Sequence, residues 1–243
     1  MEIALLIGLA ALPVGVLCWY VYHHDQKAES VGQLLKSFFI GWLTIPIAII
    51  LALLIEHLVD IYSGDGLIVS LKIAFLSAAV PEEIAKLFIL WLLLRKNKHF
   101  DEYYDGIVYA VMVGMGFAFV ENVMYLFEHY DTWVSVGLLR ALLSVPGHYA
   151  FAVLMGFYFS LWHFCKGKQR RRYAVMMLLI PVLLHGTFDA ILFGINLDDS
   201  GVGVLLGIVF FVFCYKMHKF AKPKIENLKL RDQSRKEDWN MFE

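Results

Sequence analysis

The chain has 243 residues, of which 60% are hydrophobic, 15% aromatic and only 18% charged, with a formal net charge of −1. A soluble domain of this size could not bury so much apolar surface, so the composition excludes a soluble globular protein and indicates a lipid bilayer as the solvent. The nearly balanced charge gives no reason to expect a nucleic acid or an acidic partner.

Seven apolar runs are long enough, at about 20 residues each, to cross the hydrocarbon core of a bilayer. In chain order they are 3–22, 35–57, 67–94, 106–127, 137–164, 173–195 and 201–219. We therefore predict an all-α fold, a polytopic membrane helix bundle with about seven transmembrane helices. The membrane-embedded domain is expected at 1–220, followed by a basic, solvated tail at 221–243.

The basic residues of the connecting loops predict how the bundle is oriented. Lysine and arginine occur in the loops after the first, third and fifth runs and in the tail, whereas the other loops contain neither. Basic loops face the cytoplasm, so this alternation predicts an extracytoplasmic amino terminus and a cytoplasmic carboxyl terminus.

Several predicted spans contain ionisable residues, although a charged side chain at the centre of a spanning helix costs roughly 2.5–3.5 kcal/mol. The third to sixth spans contribute Glu82, Glu83, Lys86, Glu121, His148, His185 and Asp189. With a rise of about 1.5 Å per residue, Glu83, Glu121, His148 and His185 lie about 16–24 Å from the cytoplasmic ends of their spans. Residues from four helices thus share one layer of the membrane, which predicts a single site.

The charges of this cluster do not balance. Its four acids would sum to −4 if ionised, whereas Lys86 supplies only +1, and such a net charge cannot persist at low dielectric. Protons on the carboxyls, imidazolium forms of the histidines or a bound divalent cation must make up the difference. Each of these provides a general acid or base, or a Lewis acid, which is what hydrolysis within the bilayer requires.

Other polar residues are left out of the predicted site. Lys72 and Arg140 lie within one or two turns of the outer face, where long basic side chains can extend to the membrane surface. Ser144 lies four residues before His148, but a hydroxyl at that position is expected to bond to the helix backbone rather than to act as a nucleophile.

Three motifs, in this order and in membrane context, resemble the PrsW intramembrane proteases of Gram-positive bacteria. They are EExxK in PEEIAKLF, FxxxE in GFAFVEN and HxxxD in HGTFDA, and His148 fills the remaining polar position. The resemblance extends from about the second span to the sixth. It implies a multi-pass protein of the bacterial cell membrane that performs site-1 cleavage of a single-span anti-sigma factor, which leads to release of a sigma factor and a stress response.

The resemblance also relates the chain to type II CAAX prenyl endopeptidases, in which a glutamate is the general base and histidine with asparagine holds the oxyanion. This chain has Glu121 where those enzymes have a histidine, and Asp189 where an asparagine is common. Two acids in these positions make a metal site more plausible than it is in the wider superfamily.

Two mechanisms remain open for such a site. In the first, Glu82 or Glu83 is the general base, and His148 and His185 donate to the developing oxyanion. Lys86 and Glu121 tune or orient the base, and Asp189 positions His185. In the second, the two histidines and one or two glutamates bind Zn²⁺ and leave one position open for water. The HExxH motif of many zinc proteases is absent, and we slightly favour the first mechanism.

A proton- or ion-coupled membrane transporter is the alternative function, because intramembrane clusters of Glu, His and Lys also form ion pathways. Against it, the sequence has no visible internal repeat and predicts an odd number of spans.

Overall fold

The computed structural model describes residues 2–196 and 202–240, and in these residues it contains helices and no strand. The helices are α1 (Glu2–His23), α2 (Val31–Gly41), α3 (Thr44–Leu58), α4 (Gly66–Lys72), a π-helical segment (Ile73–Ala79), α5 (Val80–Leu94), α6 (Asp105–Glu128), a 3₁₀ turn (Tyr130–Thr132), α7 (Trp133–Leu142), α8 (Ser144–Phe164), α9 (Gly167–Asn196) and α10 (Val202–Asn240). The predicted all-α class is confirmed. Residue 201, where the seventh predicted span begins, and the tail residues 241–243 lie outside the described residues.

Five stretches of the described chain are long and apolar enough to cross a membrane, which supports a polytopic membrane bundle. They are Glu2–His23, Val31–Leu58, Asp105–Glu128, Tyr130–Phe164 and Gly167–Gly194. Seven spans were predicted, and five of the described stretches meet the length and hydropathy expected of a span. The third predicted span corresponds to the continuous stretch from α4 to α5, which contains four charged residues, and the seventh corresponds to the first half of α10.

Prolines account for breaks inside two of these stretches. Pro46 has no N–H to donate to the carbonyl of Trp42, and α2 ends at Gly41 before α3 begins at Thr44. In the same way Pro146 cannot donate to the carbonyl of Leu142, and the chain breaks at Leu143 between α7 and α8. The fifth predicted span is therefore two helices, and α7 is free to take its own direction.

A widened turn precedes the acidic pair in the third predicted span. The residues before Pro81 form the π-helical segment, in which the N–H of Val80 donates to the carbonyl of Phe75, five residues earlier. Such segments often occur at functional sites. The ring of Phe75 packs closely on α9, where a Cβ added to Gly186 would lie 2.4 Å from it. This close packing brings His185 next to the start of α5.

Helices α6 and α8 form the buried centre of the bundle, and glycines allow their backbones to approach closely. A Cβ added at Gly156 would lie 2.3 Å from the carbonyl oxygen of Gly106, and one added at Gly114 would lie 2.8 Å from the Cβ of Ala152. Small residues are the usual means by which membrane helices pack at short distance. The crossing fixes the spacing of two helices that both contribute polar residues to the interior.

The carboxyl-terminal helix packs against the loop before α6, and the expectation of a fully solvated tail is wrong for this part of the chain. Asp232 is buried and accepts the backbone N–H groups of Tyr103 and Tyr104 at 2.7 and 2.9 Å. Arg235 donates to the carbonyl of Asp101 at 2.9 Å. The tail therefore supports the first residues of α6.

Candidate active site

An acidic pair and a lysine at the start of α5 form one side of a buried polar cluster. The Lys86 ammonium donates to Glu83 Oε1 at 2.8 Å and to Glu82 Oε2 at 3.2 Å, as expected from spacings of three and four residues on a helix. The same ammonium lies 3.9 Å from the ring centroid of Phe117, the aromatic residue of the FxxxE motif. Glu83 is fully buried, whereas Glu82 is partly exposed.

Helix α9 adds His185, whose two ring nitrogens both face carboxylates. Nδ1 lies 3.0 Å from Glu83 Oε1, and Nε2 lies 3.3 Å from Asp189 Oδ2 and 3.8 Å from Glu82 Oε2. The ring stacks on Phe151 with a centroid distance of 4.8 Å. The carboxylates at both ring nitrogens and the stacking on Phe151 therefore fix the orientation of the His185 ring.

Helices α6 and α8 add a second carboxylate–histidine pair. His148 Nε2 lies 2.9 Å from Glu121 Oε2, and His148 Nδ1 lies 3.4 Å from the Lys86 ammonium. His148 is buried, and the edges of its ring meet Phe117 and Phe151. The structure thus brings all seven residues singled out in the sequence into one cluster.

Arg140 also belongs to this cluster, and the expectation that it extends to the membrane surface is wrong. Its Nη2 donates to Glu121 Oε2, its Nε donates to Asn122 Oδ1 at 2.7 Å, and its guanidinium lies 4.0 Å from the ring centroid of Tyr125. The break at Leu143 allows α7 to pack against the carboxyl-terminal end of α6, which the assumption of a continuous fifth span did not allow. The unbalanced negative charge of the cluster was the one sequence signal for a further cation. By contrast, Lys72 bonds to loop oxygens, as expected for a residue outside the site.

A small cavity of about 230 Å³ opens between these groups. Its polar wall consists of Glu82, Glu121, Arg140, Ser144, His148, His185 and Asp189. The lining also contains apolar side chains, among them Phe151, Phe188 and Leu192. Glu82 lines this cavity, whereas Glu83 does not.

Four residues of the cluster could hold a metal ion. Single ligand atoms from Glu82, Glu83, His148 and His185 all lie within 4.8 Å of one another. Among the described residues Glu83 Oε2 is buried without a hydrogen-bond partner, which leaves it available as a ligand. Nitrogen and oxygen donors in this combination fit Zn²⁺. The Lys86 ammonium contacts three of the four residues and already occupies much of the space between them.

A membrane helix bundle that encloses paired carboxylates, two histidines and a cavity has the make-up of a hydrolase that works within the bilayer. The profile of a family described as "PrsW family intramembrane metalloprotease" matches residues 29–215. With this match over most of its length, the chain belongs to the PrsW family of intramembrane proteases.

Individual relatives agree with this assignment. The chain is 35% identical over 222 residues to Protease PrsW of Clostridioides difficile (strain 630), covering 90% of each chain. It is 36% identical over 225 residues to Protease PrsW of Bacillus subtilis (strain 168), covering 92% of this chain and 97% of that one. No solved structure matches the chain. The family membership favours a protease over the alternative of an ion-coupled transporter.

Proposed function

We propose that this intramembrane protease performs site-1 cleavage of a single-span anti-sigma factor, which leads to release of a sigma factor and a stress response. The observation that carries the proposal is the buried cluster around Glu82, Glu83, His148 and His185 in a chain of the PrsW family. The order of the EExxK, FxxxE and HxxxD motifs supports the same substrate class through the resemblance described above.

The proposed topology has seven spans, with the amino terminus outside and the carboxyl terminus in the cytoplasm of a bacterium. The alternation of basic and base-free loops supports it, with the stretch Gly66–Leu94 as the third span and the first half of α10 as the seventh. In this orientation the acidic pair lies near or just outside the midplane of the membrane. The resemblance to the PrsW proteases implies that the substrate is cut near its extracytoplasmic side. The membrane domain extends over 1–220, and the tail over 221–243 is cytoplasmic.

In the glutamate mechanism Glu82 is the general base. It faces the cavity, whereas one oxygen of Glu83 is bonded to both Lys86 and His185. Glu82 takes a proton from a water molecule in the cavity, and the water attacks the peptide carbonyl. Glu83 then acts indirectly, because it holds Lys86 and His185 in place.

Two further groups complete this mechanism. His185 lies between Glu82 and Asp189 and is placed to donate to the developing oxyanion or to the leaving amine. His148 lines the same cavity and is held by Glu121.

The metal version uses the same residues with different roles. Glu82, Glu83, His148 and His185 would hold Zn²⁺, which supplies Lewis-acid chemistry and lowers the pKa of bound water. Asp189 and Glu121 would then orient the two ligand histidines through their second ring nitrogens.

The test is cleavage of a single-span anti-sigma factor by purified protein in detergent. We expect Glu82→Gln to reduce the cleavage rate by about 10²–10⁴-fold, the usual contribution of a general base. Glu83→Gln should also abolish most cleavage, because it weakens the hold on Lys86 and His185. Glu128→Gln, at the exposed end of α6, is the matched control and should cut at the wild-type rate.

Two results would contradict parts of this proposal. If both glutamine variants at the acidic pair cut at the wild-type rate, the assignment of the base is wrong. If elemental analysis finds no metal in an active preparation, and a membrane-permeant chelator leaves turnover unchanged, the zinc version is wrong.

A further inference from the structure

Arg140 connects the short helix α7 to the polar cluster through a fixed set of contacts. Its Nε donates to Asn122 Oδ1 at 2.7 Å, its Nη2 donates to Glu121 Oε2, and its plane lies over the ring of Tyr125. The side chain is only 12% exposed. A guanidinium held on two edges and one face has little freedom to turn, so the position of Glu121 Oε2 is defined.

The same oxygen of Glu121 also receives a hydrogen bond from His148. Because Nε2 of His148 lies 2.9 Å from this carboxylate oxygen, Nε2 carries the proton. Nδ1 is then the unprotonated nitrogen, and it lies 3.4 Å from the Lys86 ammonium, which can only donate. The contacts at the two ends of the ring therefore agree on one tautomer, with the lone pair of Nδ1 directed at the acidic pair.

Removal of the guanidinium would loosen this arrangement at its outer end. Glu121 would lose one of its two donors and become free to rotate within the cavity. His148 would then keep only the contact of its Nδ1 with Lys86, which at 3.4 Å is too long to hold the imidazole to one orientation and one tautomer by itself.

We propose that Arg140 is a positioning residue of this protease, which fixes the Glu121 carboxylate and thereby holds His148 with Nε2 protonated and the Nδ1 lone pair facing the acidic pair. The role is the same whether that lone pair accepts from Lys86 or binds a metal ion. This inference rests on the proposed function of the site in proteolysis, but not on the identity of the substrate.

The first measurement is the kinetics of cleavage by variants at both ends of the Arg140–Glu121 contact. Substitution of a residue that orients a ligand histidine typically lowers activity by about 10–100-fold. Arg140→Gln should therefore lower kcat by about this factor, with little change in KM. Arg140→Lys should retain more activity, because an ammonium can replace one of the two edge contacts but not both. Arg95→Gln removes a guanidinium that lies 4.9 Å from the ring of Trp91, far from the site, and is the control.

A double variant distinguishes action through Glu121 from an independent role. If Arg140 acts through Glu121, the double variant Arg140→Gln, Glu121→Gln should be no slower than Glu121→Gln alone. If the two losses multiply instead, Arg140 acts independently of Glu121 and the proposal is overturned.

The second measurement needs no substrate, so it separates this proposal from the proposed function. In protein with ¹⁵N-labelled histidine, NMR should show His148 protonated at Nε2, with its signals assigned by comparison with a His148→Asn variant. Arg140→Gln should give a mixture of tautomers. A tautomer change in a protein that cuts no anti-sigma factor would support the positioning role and refute the substrate.

The remaining outcomes also decide the question. If Arg140→Gln keeps both the wild-type kcat and a single His148 tautomer, the proposal is refuted. If Arg140→Gln does not fold, as judged by thermal unfolding, Asn122→Ala serves instead, because it frees the Nε edge of the intact Arg140. That variant should show a smaller loss of kcat and the same kind of tautomer mixture, and an unchanged tautomer would refute the positioning role.

Discussion

The close crossing of α6 and α8 offers a direct test of how packing supports the site. In Gly156→Ala the new Cβ would lie 2.3 Å from the carbonyl oxygen of Gly106 and 2.7 Å from the Cα of Ile107. Non-bonded carbon contacts are favourable near 3.5–4.0 Å, so the helices must separate by roughly 1 Å at this point. Both neighbouring atoms belong to backbone, and no side chain can turn away to absorb the change.

The expected magnitude follows from two opposing effects. Overpacking of a close interface costs about 1–3 kcal/mol. Replacing glycine by alanine within a helix gains about 0.5–1 kcal/mol. We therefore expect the free energy of unfolding to fall by up to about 2.5 kcal/mol, and by about 1 kcal/mol at the middle of both ranges, which thermal unfolding in detergent can detect.

Activity should fall as well, because α6 and α8 position Glu121 and His148, whose contact is 2.9 Å long. The matched control is Gly8→Ala in α1, where a Cβ would meet nothing within 4 Å. It should be neutral or stabilising and should leave cleavage unchanged. If Gly156→Ala unfolds at the same temperature as Gly8→Ala and cuts as fast, the close approach of the two backbones does not limit the fold and this reasoning is wrong.

Variants at three further residues test other parts of the structure by thermal unfolding, and the variant at Lys86 is also tested by cleavage. Asp232→Ala removes the acceptor of two backbone N–H groups before α6 and should cost about 1–3 kcal/mol. Burial raises the pKa of Asp232, so wild type should lose stability relative to Asp232→Asn as the pH rises from about 4, and a flat difference would contradict this. Lys86→Met leaves the fully buried Glu83 and the partly exposed Glu82 without their cation, which should cost about 3–5 kcal/mol and most of the activity, whereas a stable, active variant would contradict the ion pairing. Lys27→Ala should cost less than about 1 kcal/mol, because its ion pair with Asp101 is half exposed, and a larger loss would show that the pair matters.

The sequence was sufficient to predict the all-α class and the residues of the polar cluster. Charged residues in apolar runs are conspicuous because lipid cannot solvate them, and spacings of three and four residues predict contacts within one helix, such as those of Lys86. The depth estimate placed Glu121, His148 and His185 in one layer, and the structure brings them together. These inferences need only helix geometry and the thickness of the membrane.

Contacts that depend on how helices turn or pack could not be predicted in this way. Arg140 reaches Glu121 because the chain breaks at Leu143. Pro146 is a sequence signal for a break, but it does not show in which direction the preceding helix then runs. The contact of Asp232 with the backbone at Tyr103 joins residues 129 positions apart, and it involves a main-chain N–H that has no sequence signature. Both cases concern polar groups whose partners lie on another element.

The charge balance of the cluster connects these missed contacts with the open question of mechanism. Four carboxylates and one lysine left a deficit of three positive charges in the sequence, and among the described residues Arg140 supplies one of them. The remaining deficit of two equals the charge of two imidazolium rings or of one divalent cation. His185 contacts carboxylates through both ring nitrogens, which suits an imidazolium, whereas Nδ1 of His148 faces the Lys86 ammonium and carries no proton, so a proton on one carboxyl would supply the second charge. The two histidines with the acidic pair form a zinc donor set, which suits a divalent cation. The Lys86 ammonium lies among the atoms that would bind a metal ion. A metal-loaded site therefore requires this ammonium to move.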